Sequence, residues 1–338
     1  MKEKKKLWFA VFVVLAIASA FAVTQQSKSF SLSGFSEYLH NADQRWIALA
    51  FVCMLGYITF EGLSLLHLSR SLGYPRRLGS GIVYSAADLF FSAITPSATG
   101  GQPASAICMM KDGIPAAVTT VVLLLNLMMY TVSILVIGLL CAVLRPGVFL
   151  HFGVLSRVLI VVGAAVQGGL TAVFLLLVFR ERLALRLANS VLSLLSKLHL
   201  VREVDAKRAR LEEIGAEYHA CADAISANKR MLWRAFAYNL LQRLSVIFVS
   251  VCVFLSVGGR PGAWLDVWAT QSMVILGSNV VPVPGAVGVA DFLYLDGFAS
   301  LIGDTVSIEL LSRGISFYCC IILCGLIAWG WFALRRRN

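Results

Sequence analysis

The chain has 338 residues, of which 59% are hydrophobic and 14% charged; so few charges over so much apolar surface exclude an ordinary soluble domain. The formal charge of +11 sits on basic residues that flank apolar runs, where it orients a membrane protein rather than binding nucleic acid. The same excess favours anionic lipid headgroups.

A helical crossing needs ~20 apolar residues, and the chain repeatedly supplies them at helical rather than alternating period. Six crossings are predicted, over residues 7–23, 46–68, 115–144, 157–179, 235–257 and 314–334. Lys2, Lys4, Lys5 and Lys6 precede the first, which is read as an uncleaved span rather than a signal peptide. Two further apolar stretches, residues 79–110 and 264–303, are each broken in the middle by proline and glycine. Their arms offer only ~16 residues each, marginal for a crossing, so both are read as re-entrant hairpins.

Lys and Arg counts orient the chain. The lysine cluster, Arg70, Arg76 and Arg77, the segment 180–234 with eleven Lys/Arg and seven Asp/Glu, and Arg335, Arg336 and Arg337 all fall on one side. That side is taken as the cytoplasm, with both termini inside. The first hairpin then dips from the cytoplasm and the second from outside. Residues 46–144 and 235–334 become two inverted repeats within one domain of residues 1–338, the architecture of alternating-access carriers. Between them, residues 180–234 read as an amphipathic cytoplasmic helical segment, with Val201, Val204, Leu211 and Ile214 as its stripe. The expected fold class is an all-α integral membrane protein.

The first break reads TPSATGGQP. Pro96 and Pro103 donate no backbone hydrogen bond, and Gly100 and Gly101 allow conformations closed to other residues. Irregular backbone at membrane depth must be buried in protein or line a wet cavity. Where a half-helix restarts, its free N–H groups form a positive pole suited to phosphate, and Thr95, Ser97, Thr99 and Gln102 add donors. The second break reads VPVPGAVGVAD, with Pro282 and Pro284 ending one arm and Gly285 and Gly288 permitting close approach. Ser278 and Asn279 precede it, and Asp291 follows. An acid there costs ~2.5–3.5 kcal/mol or more unless paired or hydrated, so pairing with Arg243 or Arg313 is expected.

Asn239, Gln242 and Arg243 share one face of the fifth span, and Arg243 lies too deep to snorkel. Asn126 and Tyr130 share a face of the third span and read as helix–helix glue. Glu61, Asp88 and Asp291 are the acids that could serve chemistry. The chain has no Walker-A loop, no HExxH, no GxSxG and no His/Cys metal cluster. Its eight cysteines lie mostly in apolar runs and read as packing residues. No cofactor or metal is expected.

At TPSATGGQP with its continuation Lys111–Gly113, and at PVPGAVGVAD, the chain resembles the flippase-like transmembrane domain of lysylphosphatidylglycerol synthase, the bacterial multiple peptide resistance factor, over nearly its whole length. Thr95, Pro96, Ser97, Gly100, Gly101 and Pro103 stand at that family's positions, and Arg313 fits the arginine that opens its last span. The second motif departs from the family's PxPGGxGxxE: Ala286 replaces the second glycine and Asp291 the glutamate. The resemblance implies translocation of a phospholipid, such as aminoacylated phosphatidylglycerol, between leaflets of a bacterial inner membrane. It implies a stand-alone member without the synthase domain and without lysyltransferase activity, acting as a homo-oligomer or beside a separate synthase. Anionic or aminoacylated phospholipids are the expected partners. The expected substrate site joins Thr95, Pro96, Ser97, Gly100, Gly101 and Gln102 to Asn279, Pro284, Gly285, Gly288 and Asp291, with Arg243 and Arg313. The rival readings are a lipid-headgroup transferase and a transporter for a small polar or isoprenoid-linked solute.

Overall fold

A computed structural model describes residues 42–95, 99–179, 228–279, 288–302 and 305–335. The predicted span 7–23, nearly all of the amphipathic segment 180–234, and Pro96, Ser97, Pro284 and Gly285 lie outside the described residues. Every regular element among the described residues is helical. In chain order they are α1 (Gln44–Ser71), α2 (Leu78–Ile94), α3 (Gly101–Lys111), α4 (Ala116–Leu144), the short α5 (Pro146–His151) and α6 (Val154–Phe179). There follow α7 (Lys229–Ser256), a 3-10 turn (Pro261–Ala263), α8 (Trp264–Ser278), α9 (Val289–Phe298), α10 (Thr305–Arg313), a π-helical turn (Gly314–Cys319) and α11 (Cys320–Leu334).

Five described helices are long and apolar enough to cross a membrane: α1, α4, α6, α7, and the run from α10 through the π turn into α11. The 28 residues of α1 extend ~42 Å at 1.5 Å per residue, beyond the ~30 Å hydrocarbon core. The last span begins at Thr305 rather than at the predicted residue 314. Its first turns carry Glu309 and Arg313, charges that hydropathy alone reads as a connector, although Ile308 and Leu311 bury one side.

The broken stretches form two helical hairpins. The 11 residues of α3 reach only ~16 Å and the 10 of α9 only ~15 Å, too short to cross. Hydrogen bonds show where each hairpin returns. Arg76, just before α2, donates from Nη2 to the carbonyl of Asp112, just after α3, at 2.7 Å. Arg335, after α11, bonds the Lys111 carbonyl at 2.7 Å. The first hairpin therefore starts and ends at the basic end of the bundle. At the other end, Asp43 N–H bonds the Ser256 carbonyl at 2.8 Å, and Arg145, after α4, pairs with Asp266 at the start of α8 at 3.3 Å. Gly153 N–H, before α6, bonds Asp296 near the end of α9 at 2.8 Å. The second hairpin starts and ends there. Span, hairpin, span thus recurs in opposite directions, as expected.

The halves meet along α1 and α7, which run antiparallel. A buried polar knot joins them to α4: Ser64 Oγ donates to Asn126 Oδ1 at 2.6 Å, and Asn239 Nδ2 reaches Ser64 at 2.9 Å and Asn126 at 3.0 Å. Interhelical hydrogen bonds of this kind hold spans together where lipid removes the hydrophobic driving force. Asn126 is the glue expected of it. The seven described cysteines are free thiols.

Candidate functional site

Threonine chemistry shapes the first break. Thr95 Oγ1 donates to the Phe91 carbonyl at 2.6 Å and accepts from Gly100 N–H at 2.8 Å, closing the end of α2 onto the start of α3. Gly101 opens α3 against α2 so closely that a Cβ there would collide with the Ser92 hydroxyl and the Asp88 carboxylate and stand 2.6 Å from the Asp88 carbonyl. Gln102 Nε2 completes the contact by donating to Asp88 Oδ2 at 2.9 Å. The start of α3 is therefore turned to the protein's own carboxylate.

The second break follows the same logic. Gly288 holds φ +87, a left-handed conformation suited to glycine, and its N–H donates to Asp291 Oδ2 at 2.8 Å. Asp291 is in turn ion-paired with Arg313, and Glu309 Oε1 lies 3.6 Å from the same guanidinium. The expected pairing of Asp291 is with Arg313 and not with Arg243. The amides of Gly100 and Gly288, expected to face a ligand freely, are each taken by a side chain of the protein, because a buried unpaired N–H costs about as much as a lost hydrogen bond.

Between the hairpins lies a cavity of about 650 Å³ whose wall includes Tyr57, Glu61, Asp88, Tyr130, Arg243 and Glu309. Of the expected site residues, Gln102, Asn279, Arg243 and Arg313 line it. Thr95, Gly100 and Gly101 shape the first break, and Gly288 and Asp291 sit behind Arg313. Arg243 lies near the middle of α7 and is only 6% exposed. Its guanidinium stands 4.9 Å from the Tyr57 ring and 4.3 Å from the Tyr130 ring. Cation–π contacts of this kind contribute ~2 kcal/mol when desolvated. Its Nε has no hydrogen-bond partner among the described residues.

Tyr130 joins the two halves: its hydroxyl accepts from Asn279 Nδ2 at 3.0 Å while its ring carries Arg243. Its expected role as glue is thus extended to a wall of the cavity. Glu61 accepts from Gln242 Nε2 at 2.9 Å and from Ser85 at 3.3 Å. The side-chain oxygens of Gln167, Gln242 and Gln271, all in the wall, have no donor among the described residues. Sequence reasoning missed Tyr57, Glu309, Gln167 and Gln271. Glu309 was findable from the apolar spacing of Ile308 and Leu311; Tyr57 was not, because one tyrosine in an apolar span carries no sign of what stacks on it.

Residues 7–324 match the family model described as the lysylphosphatidylglycerol synthase TM region. No curated protein matches the chain.

Proposed function

We propose that this chain, which belongs to the lysylphosphatidylglycerol synthase TM region family, carries phospholipid headgroups between leaflets through the cavity between its two hairpins. The observation that carries this reading is Arg243, a guanidinium buried near the middle of its helix, held on two tyrosine rings, with Nε bonded to no acceptor among the described residues. A guanidinium is always charged and suits phosphate oxygens. Burying a guanidinium is costly unless anions offset its charge; Glu61 and Asp88 share its wall, and a transient phosphate would add direct contacts to the compensation they offer.

The rest of the wall favours a headgroup that also carries an ammonium. Glu61, Asp88 and Glu309 face the cavity with Arg243 and Arg313, and Arg313 is already engaged by Asp291. Carboxylates and the unpartnered amide oxygens of Gln167, Gln242 and Gln271 accept hydrogen bonds. Aminoacylated phosphatidylglycerol has both groups: its phosphodiester would lie at Arg243 and its amines toward Glu61, Asp88 or Glu309, with the acyl chains left in lipid. Halves of opposite direction supply two related arrangements, each open to one side.

The test is a proteoliposome assay with fluorescent phosphatidylglycerol, aminoacylated phosphatidylglycerol and phosphatidylcholine. The expected result is faster leaflet exchange of the first two, lost in Arg243→Gln. No acceleration of any lipid by folded protein overturns the reading. Among the described residues Glu61 accepts from Gln242, Asp88 accepts from Gln102 and Asp291 is paired with Arg313, and we assign no aminoacyl transfer to this chain. Radiolabelled lysyl-tRNA given to the purified protein is expected to yield no labelled lipid.

A further inference from the structure

A second concentration of charge lies outside the cavity, at the basic end where the first hairpin enters. Arg70, Arg76, Arg77, Lys111 and Arg335 gather there around one described acid, Asp112. That carboxylate is fully used: Tyr84 donates to Oδ2 at 2.5 Å, and Arg335 forms an ion pair with Oδ1. It can balance one of the five cations. Arg76 is fixed by bonds to the carbonyls of Pro75 at 2.9 Å and Asp112 at 2.7 Å, and its Nε is buried without a partner among the described residues. Arg76, Arg77 and Arg335 line a shallow open pocket with Ser80 and Asp112.

Arg77 is exposed and occupies the N-cap of α2, where no side chain caps the helix. The pocket therefore combines three guanidinium groups, a hydroxyl and the positive pole of a 17-residue helix, each of which attracts an oxyanion, with the Asp112 carboxylate neutralised by Arg335. Trp331, an aromatic of the kind that marks the lipid–water interface, lies 4.7 Å from the Arg335 guanidinium and 5.9 Å from the Lys111 ammonium. Leu78, the first residue of α2, stays 55% exposed beside Arg77, an apolar surface suited to an acyl chain.

We propose that Arg76, Arg77, Arg335 and Ser80 form an interfacial binding site for the phosphate of an anionic phospholipid, separate from the cavity. The assignment does not rest on headgroup translocation. A lipid is favoured over soluble phosphate because the cations stand at the level of Trp331 and next to exposed Leu78.

The test is equilibrium binding of short-chain phosphatidylglycerol to the full chain in phosphatidylcholine nanodiscs, with inorganic phosphate as competitor. Arg77→Gln serves as the main variant because Arg77 is exposed, and Arg76→Gln as the second. Saturable binding is expected, with one component weakened about tenfold in Arg77→Gln, the loss of one charge-assisted contact, and restored in part by Arg77→Lys; that component persists in Arg243→Gln when the contribution of the cavity is lost. Unchanged affinity in both Arg77→Gln and Arg76→Gln overturns the site. Loss of binding in Arg243→Gln alone assigns the lipid to the cavity and also overturns it. Equal competition by inorganic phosphate overturns the lipid assignment.

Discussion

Arg243 is the residue on which the transport reading turns. Its charge is held by the rings of Tyr57 and Tyr130 rather than by a carboxylate bonded to it. Arg243→Lys keeps the charge but loses the planar stacking, and Arg243→Gln loses both. Leaflet exchange in proteoliposomes is expected to fall about tenfold for the first and more for the second, if the contact contributes ~1.4 kcal/mol or more to the translocating state. Asp291 and Arg313 make a different prediction, one of stability. Removing one partner strands a buried charge and costs ~3–5 kcal/mol, whereas removing both costs less. Thermal unfolding in detergent should show Asp291→Asn and Arg313→Gln each strongly destabilised and the double variant more stable than either, since the two face each other directly.

At the level of elements, the broken helices hold their shape by close contact rather than by long apolar faces. Gly101 admits no Cβ without moving the backbone of Asp88. Gly163 of α6 is packed on α8, where a Cβ would collide with the Leu276 carbonyl oxygen and stand 2.9 Å from its carbon. Overpacking of this kind typically costs ~1–3 kcal/mol. Gly163→Ala is expected to lower the unfolding temperature and to loosen the second hairpin, seen as faster hydrogen exchange in α8 and α9. Gly168→Ala, where the added carbon meets nothing within 4 Å, is the control and should be neutral. The π turn after Arg313 is an interruption of a kind often found at functional sites, and here it contributes Ser316 and Phe317 to the cavity wall.

For the molecule as a whole, the prediction concerns sidedness. The hairpins start at opposite ends, so Gly79→Cys at the start of α2 and Gly262→Cys just before α8, both positions with open space around them, should react with impermeant thiol reagents from opposite faces of the membrane. The described native cysteines are mostly buried, and the unsubstituted chain supplies the background. Labelling of both from one face would remove the inverted arrangement. Much of this was legible in the sequence, because a bilayer leaves few solutions: apolar length fixes a crossing, and proline with glycine fixes where one stops. Arg243, Arg313, Gln102 and Asn279, which line the cavity, were readable as inward-facing because polar groups at such depth need a reason. What the amino-acid order alone determined is therefore an all-helical membrane protein with two interrupted hairpins and polar groups held inside. Only the tertiary structure decided that Arg313 rather than Arg243 takes Asp291, that the restarting helices are capped by the protein's own side chains, and that Tyr57, Tyr130 and Glu309 join the cavity. Those partnerships link residues distant in the chain, and periodicity reports which face a side chain occupies but not what stands across from it.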